Sequence, residues 1–227
     1  IKGSAGNFKV HVLKRSRYIY EDKCTACGTC IDYCPVEIDD KYNKNLSKVK
    51  CIYIPYAQAV PAAYVIDPTA CLYLVKNECR QCEQACKDLK AIKLDMKDEE
   101  IQLDVGAVIL APGFNEFNAR FKVDYGYGDF ENVITSIEFE RMLSASGPFK
   151  GEIIRPSDST HPKRIAFLQC VGSRDLKYNN NYCSSVCCTY AIKEAIIAKE
   201  HDPELFISIF LKYLSLISIF PFLPPPR

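Results

Sequence analysis

The chain has 227 residues, 29 basic against 28 acidic side chains and a formal net charge of +1. That length allows one large or two small domains, at roughly 100–200 residues each, and the balanced charge gives no reason to expect nucleic acid as a partner. Thirteen cysteines exceed ordinary use, and their odd number fits poorly with a closed disulfide framework.

In chain order, residues 1–20 are basic and alternating, with Phe8, Val10 and Val12 on one parity, which predicts a strand or hairpin arm. No continuous apolar leader opens this segment, so the thiols are expected to be reduced and the protein cytoplasmic. A Cys-rich zone follows, over residues 21–95. Its first run is Cys24-x2-Cys27-x2-Cys30-x3-Cys34-Pro35, the spacing with which bacterial-type ferredoxins hold a [4Fe–4S] cluster. Three thiolates at every third residue of a tight loop reach three corners of a small cube. The fourth points to a neighbouring cluster, and Gly28 lets the backbone bend.

The second run, Cys71-x7-Cys79-x2-Cys82-x3-Cys86, keeps the phasing but carries a long first gap, and Lys87 stands where a proline is usual. By ferredoxin logic Cys24, Cys27, Cys30 and Cys86 form one ligand set, and Cys34, Cys71, Cys79 and Cys82 the other. Asp22-Lys23-Cys24 is echoed by Asp67-Pro68-Thr69-Ala70-Cys71, as in a duplicated cluster-binding half. Structural zinc also takes four thiolates from paired Cys-x2-Cys units and stays an alternative. Cys51, on the strand-like run Val49–Tyr53, reads as packing.

Residues 96–204 change to an α/β texture. Ile101, Leu103 and Val105 alternate. Ala107-Val108-Ile109-Leu110 suits a buried parallel strand, broken by Pro112-Gly113. Thr135-Ser136-Ile137-Glu138 has capping-box spacing and predicts a helix to about Ser144. Arg164–Leu168 predicts another buried strand. A helix with Ala191, Ala195, Ile196 and Ala198 on its apolar face is expected from about Ser184 to Glu200, so that alternating strands and helices imply a parallel sheet. Cys170, Cys183, Cys187 and Cys188 match no ferredoxin spacing. At a strand end and a helix start they form either a further ligand set, the helix N-terminus favouring thiolate, or a group of buried small hydrophobes.

Residues 205–227 form an apolar, Pro-rich tail. Lys212 and three serines dilute it, so a membrane span, which needs about 20 apolar residues, is not expected, whereas Ile207–Phe210 reads as a strand. His11, His161 and His201 fall outside every motif and read as surface residues. No general acid or base is nominated.

Up to about Asp202 the chain resembles the A-type flavoprotein of heterodisulfide reductase. The resemblance rests on Gly6-Asn7-Phe8, the first Cys run, Ile52-Tyr53-Ile54-Pro55 with Gln58-Ala59-Val60-Pro61, Tyr125-Gly126-Tyr127-Gly128, Arg155-Pro156-Ser157-Asp158 and Gln169-Cys170-Val171-Gly172-Ser173-Arg174-Asp175. It implies a partial thioredoxin-reductase-like FAD/NAD-binding α/β fold with an inserted α+β two-cluster ferredoxin domain, a third cluster on Cys170, Cys183, Cys187 and Cys188, and FAD beside Gly106, Ala111, Gly113 and Phe114. Pro112 replaces the family's Thr there, and the family's first Gly-x-Gly-x-x-Gly turn does not occur in the sequence. The implied protein is an anaerobic oxidoreductase component passing electrons between FAD, [4Fe–4S] clusters, its partner subunits and a donor such as a hydrogenase, with this chain as a fragment. The competing reading is a polyferredoxin-like carrier without flavin, and the missing turn favours it.

Overall fold

The basic arm folds as a hairpin, β1 (Lys2–Ser4) and β2 (Asn7–Lys14), in this computed structural model, which describes residues 1–211 and 214–219. In the middle of β1 only glycine fits, because Gly3 has φ 112° and a Cβ there would lie 2.2 Å from the Asn7 carbonyl oxygen. The Cys-rich zone comes next as short elements: α1 (Thr29–Asp32), β3 (Glu37–Asp39), β4 (Lys48–Lys50), β5 (Ile52–Tyr53), β6 (Val65–Ile66), α2 (Leu72–Lys76) and α3 (Gln81–Ala85). The chain then returns as β7 (Glu99–Val105), antiparallel to β2 in unbroken register from Lys14↔Glu99 to Phe8↔Val105. The hairpins β3–β4 and β5–β6 pair locally.

The zone closes on itself before β7 begins. Tyr20 N–H donates to Ala91 O at 2.8 Å, Lys93 N–H to Tyr18 O at 2.9 Å, and Ile19 bridges Ile92. Ile19, Cys51, Ile52, Tyr64, Ile66, Ala91, Ile92 and Leu94 make its core, and Cys24, Cys34, Cys71, Cys82 and Cys86 pack against it. For a segment of this length such a core is small, and domains of this size are commonly stapled by disulfides or metals.

Residues 1–113 form one compact unit and 114–227 a second. In the second, α4 (Ser136–Leu143) starts at the Thr135/Glu138 capping box that the sequence predicts. Then come β8 (Arg164–Leu168), α5 (Cys187–His201), β9 (Phe206–Leu211) and β10 (Leu214–Ile219). β8 and β9 pair in parallel with α5 as the crossover, and β10 adds antiparallel to β9. Ala191, Ala195 and Ala198 of α5 bury with Phe139 and Met142 of α4, Phe167 of β8, and Ile207 and Ile209 of β9. The architecture is mixed α/β.

Three expectations are corrected. Ala107–Leu110 is not a strand, and Ile109 is 93% exposed. The β2–β7 ladder ends at Val105, where β2 runs out, and among the described residues no further strand offers the pairing a parallel strand needs. α5 starts at Cys187, three residues beyond the expected Ser184, and its Ile196 faces outward. The sheet of the second unit has a single parallel pair, because β10 turns back. The expected strand at Ile207–Phe210 lies within β9. No helix among the described residues is long and apolar enough to cross a membrane, and the proline run from Pro221 lies outside them.

Candidate metal centres

Four thiols surround a cavity of about 160 Å³ in the first unit: Cys24, Cys27, Cys30 and Cys86. The loop that carries three of them turns sharply through Ala26 (φ 55°) and Gly28 (φ 88°). It is tied down where Cys24 N–H donates to Tyr20 O at 3.1 Å. Cys30 sits in α1, and Cys86 closes α3. Burial, then the nearby Cys24, Cys86, Cys82 and Cys27, push the Cys30 thiol up to about 12. Cys27 is exposed, and the Thr29 hydroxyl 3.5 Å from its sulfur lowers its pKa.

Cys34, Cys71, Cys79 and Cys82 surround a second, tighter cavity of about 20 Å³. On a scale where one water needs roughly 10–15 Å³, the first cavity holds far more than a single solvent molecule and the second barely one. Cys71 caps α2, and its N–H donates to Asp67 O at 3.1 Å. Cys79 adopts φ 73° just before α3, and Cys82 lies in the first turn of that helix. Burial, then Cys71 and Cys34, drive the Cys82 thiol to about 12.

Each of the two short helices serves both cavities. Cys30 lies in α1 and Cys34 just past its end, Cys82 lies in α3 and Cys86 at its end, and in each pair one thiol lines the first cavity and the other the second. Among the described residues no three Cys, His, Asp or Glu side chains converge tightly enough to hold a single metal ion. The sulfurs stand around spaces. Elevated thiol pKa values belong to the metal-free protein; iron deprotonates a coordinating thiol outright, so an all-thiol donor set, for the most part half-buried, fits a cluster.

Two lining residues escape the motif. Cys51 is 1% exposed within the core, and its sulfur, which also borders the second cavity, donates to Asp67 O at 3.3 Å. Tyr64 lines the first cavity. Neither belongs to a Cys run, and only the fold brings them to the thiols.

In the second unit Cys170 is buried just past the carboxyl end of β8, with φ 63°. Cys187 and Cys188 open α5, whose N-cap Val186 offers no side-chain cap, and Cys183 is exposed just before them. The four are neighbours electrostatically. The Cys188 pKa is raised by burial and by the charges of Cys187, Cys170 and Cys183. Burial also opposes ionisation of Cys187, yet hydrogen bonds from Ser184, the Cys170 backbone and Cys188 leave its pKa lowered. Uncapped N–H groups at the start of a helix favour thiolate in the same direction.

Gly106, Ala111, Gly113 and Phe114 are all exposed, Phe114 at 76%, in an extended stretch outside strands and helices, and none lines either cavity. Among the described residues these four alone do not form an enclosed flavin cradle. His11, His161 and His201 are exposed; the last two hold backbone carbonyls, Ile153 O at 3.0 Å and Gly151 O at 2.8 Å.

Residues 17–38 match the model of the 4Fe-4S binding domain family. Over 218 residues the chain is 45% identical to the iron-sulfur A component of the CoB–CoM heterodisulfide reductase of Methanocaldococcus jannaschii, covering 96% of this chain and 32% of that protein. It is 43% identical over 210 residues to the A component of the H(2):CoB-CoM heterodisulfide,ferredoxin reductase of Methanothermobacter thermautotrophicus, covering 92% and 31%. To one of the iron-sulfur A components of the CoB–CoM heterodisulfide reductase of Methanopyrus kandleri it is 46% identical over 210 residues, again covering 92% and 31%. The chain thus spans about a third of the length of these relatives.

Proposed function

Homologous over at least nine-tenths of its length to a third-length segment of the heterodisulfide reductase A component, and so a member of that family, the chain acts, we propose, as the cluster-bearing electron-transfer segment of such an oxidoreductase. The observation that carries this reading is the exchange of ligands between two cavities. Cys34 from the first run joins Cys71, Cys79 and Cys82, while Cys86 from the second joins Cys24, Cys27 and Cys30. Mononuclear zinc has no use for such interleaving, whereas paired cubane clusters do.

When bound, [4Fe–4S] clusters supply one-electron transfer at potentials set by burial and hydrogen bonds to sulfur. The residues of this chain hold the thiolates at fixed separations through α1 and α3, shield one side of each site with the Ile19–Leu94 core, and leave Cys27 exposed toward solvent. We assign residues 21–95 as an inserted ferredoxin-like domain, a boundary supported by the β2–β7 ladder that brackets it. Cys170, Cys183, Cys187 and Cys188 form a third ligand set, supported by their grouping at the carboxyl end of β8 and the start of α5, where α/β folds collect ligands. FAD, a thioredoxin-reductase-like fold around it, partner subunits, an electron donor such as a hydrogenase and a cytoplasmic location are assigned to the full-length protein. Gly106, Ala111, Gly113 and Phe114 remain the candidates for one edge of the flavin site, and no chemistry is derived through it.

The exposed Gly106–Phe114 stretch favours one second reading: this chain as a flavin-free, polyferredoxin-like carrier. Anaerobic purification with iron, sulfide, zinc and flavin assays separates the readings. Some eight to twelve irons with matching sulfide are expected for two or three cubanes. Flavin retained by the chain would overturn the carrier reading, and zinc without sulfide would overturn both.

A further inference from the structure

Tyr64 is 6% exposed and lines the first cavity together with Cys24, Cys27, Cys30 and Cys86. Its hydroxyl lies directly above the cluster-binding loop: a Cβ built on Gly28, between Cys27 and Cys30, would sit 3.7 Å from it. Among the described residues that hydroxyl makes no hydrogen bond, although nearly every other part of the residue is packed. Its backbone has little freedom. Arg17 Nη2 donates to the preceding Ala63 O at 2.6 Å, and the following residue, Val65, pairs with Tyr53. Phenols favour sites where the ring is dry and the tip meets something polar. Here the tyrosine shares its cavity with four thiols.

Resting on the assignment of a [4Fe–4S] cluster to this cavity, we propose that the Tyr64 hydroxyl donates a hydrogen bond to a sulfur of that cluster or of its ligands, and so raises its reduction potential above that of an otherwise equal site. A donor aimed at sulfur stabilises the electron-rich reduced form more than the oxidised one, which is how protein hydrogen bonds tune such centres. The second cavity is lined by Tyr33, four aliphatic residues, a proline and thiols, and its tyrosine is 54% exposed where Tyr64 is 6%. A phenol, with an ordinary pKa of about 10, is a donor at neutral pH. Tyr64 is thus a tuning residue and takes no electron itself.

The test is redox titration of the whole anaerobically loaded chain, followed by electron paramagnetic resonance, for the parent and for Tyr64→Phe. Iron and sulfide should be unchanged. The reduction equilibrium of the first cluster should fall about two- to tenfold, the range of one net hydrogen bond, or up to about 59 mV for a one-electron couple, with the second cluster unmoved. A monofluorinated tyrosine at position 64, a stronger donor of the same shape, should shift the same signal the opposite way, and it decides the matter if Tyr64→Phe loses its cluster. Intact clusters with no shift in either variant overturn the role of Tyr64 alone. A parent chain without iron and sulfide at Cys24, Cys27, Cys30 and Cys86 overturns the site assignment and this role with it.

Discussion

Cys34 follows Cys30 by four residues yet borders the other cavity, and Cys86 stands in the same relation to Cys82. Substitution therefore has a non-local signature. Cys34→Ser should remove about four irons and leave a resonance spectrum like that of Cys71→Ser, although Cys71 is far away in sequence; Cys24→Ser should give a different one. If Cys34→Ser and Cys24→Ser coincide, the ligand exchange is wrong. These thiols were legible because metal spacing is a local code. Tyr64 and Cys51 were not, since each reaches its cavity only through long-range packing.

Glu194, on the buried face of α5, was equally invisible to sequence. It is 3% exposed, neither carboxylate oxygen has a hydrogen-bond partner among the described residues, and burial together with Glu140 pushes its pKa up from 4.5 to about 8. The folded state thus holds this proton more tightly than the unfolded chain does. Its contribution to stability is fully present below pH 4.5 and is lost as pH rises through about 8. Glu194→Gln should melt above the parent at pH 9 and together with it near pH 4.5. Parallel melting curves at both pH values would rule out a buried, protonated carboxyl.

At the level of elements, α4 shows how far a local rule reaches. Thr135 N–H donates to Glu138 Oε2 at 2.5 Å, and the Thr135 hydroxyl accepts from Glu138 N–H at 3.3 Å, so the box read from four residues is the one that forms. Thr135→Ala should cost about 1 kcal/mol and lower the melting temperature of the second unit by roughly 2–8 °C, as followed by calorimetry; an unchanged transition would mean that packing of Phe139 and Met142 alone starts the helix. Ala107–Leu110 shows where such rules stop. Its apolar run is as strand-like as β8, but β8 has β9 beside it with five residues in register, whereas past Val105 the β2 ladder gives way to a single bond, Gly6 N–H to Gly106 O at 2.9 Å, and among the described residues no strand pairs with Ala107–Leu110. A strand is a property of two segments, and only one can be read at a time.

Across the whole molecule, the boundary between units falls at Gly113/Phe114, inside the exposed stretch that the corrected strand leaves behind. Limited chymotrypsin treatment should cut first after Leu110 or Phe114 and yield two fragments of nearly equal mass, each still protected. A first cut within the Cys-rich zone of the loaded protein would count against a metal-stapled core there. The broad texture, a Cys-rich zone between an alternating arm and an α/β half, was visible from composition alone. The return of β7 onto β2 was not, because it joins residues 85 to 97 positions apart.

That return has a consequence for how the chain can be rebuilt. Lys14 and Glu99 are direct cross-strand partners, so the two ends of everything between them lie one strand spacing apart, about 5 Å. The next pair outward, Arg15 and Asp98, is joined by an ion pair at 2.6 Å. Geometrically the entire thiol-bearing block is a very long hairpin loop. A two-residue turn of the Asn-Gly type would bridge the gap it leaves, and the excised block carries ends spaced to splice into any other antiparallel ladder. The wiring in this block is a cartridge, seated at the end of a seven-rung ladder.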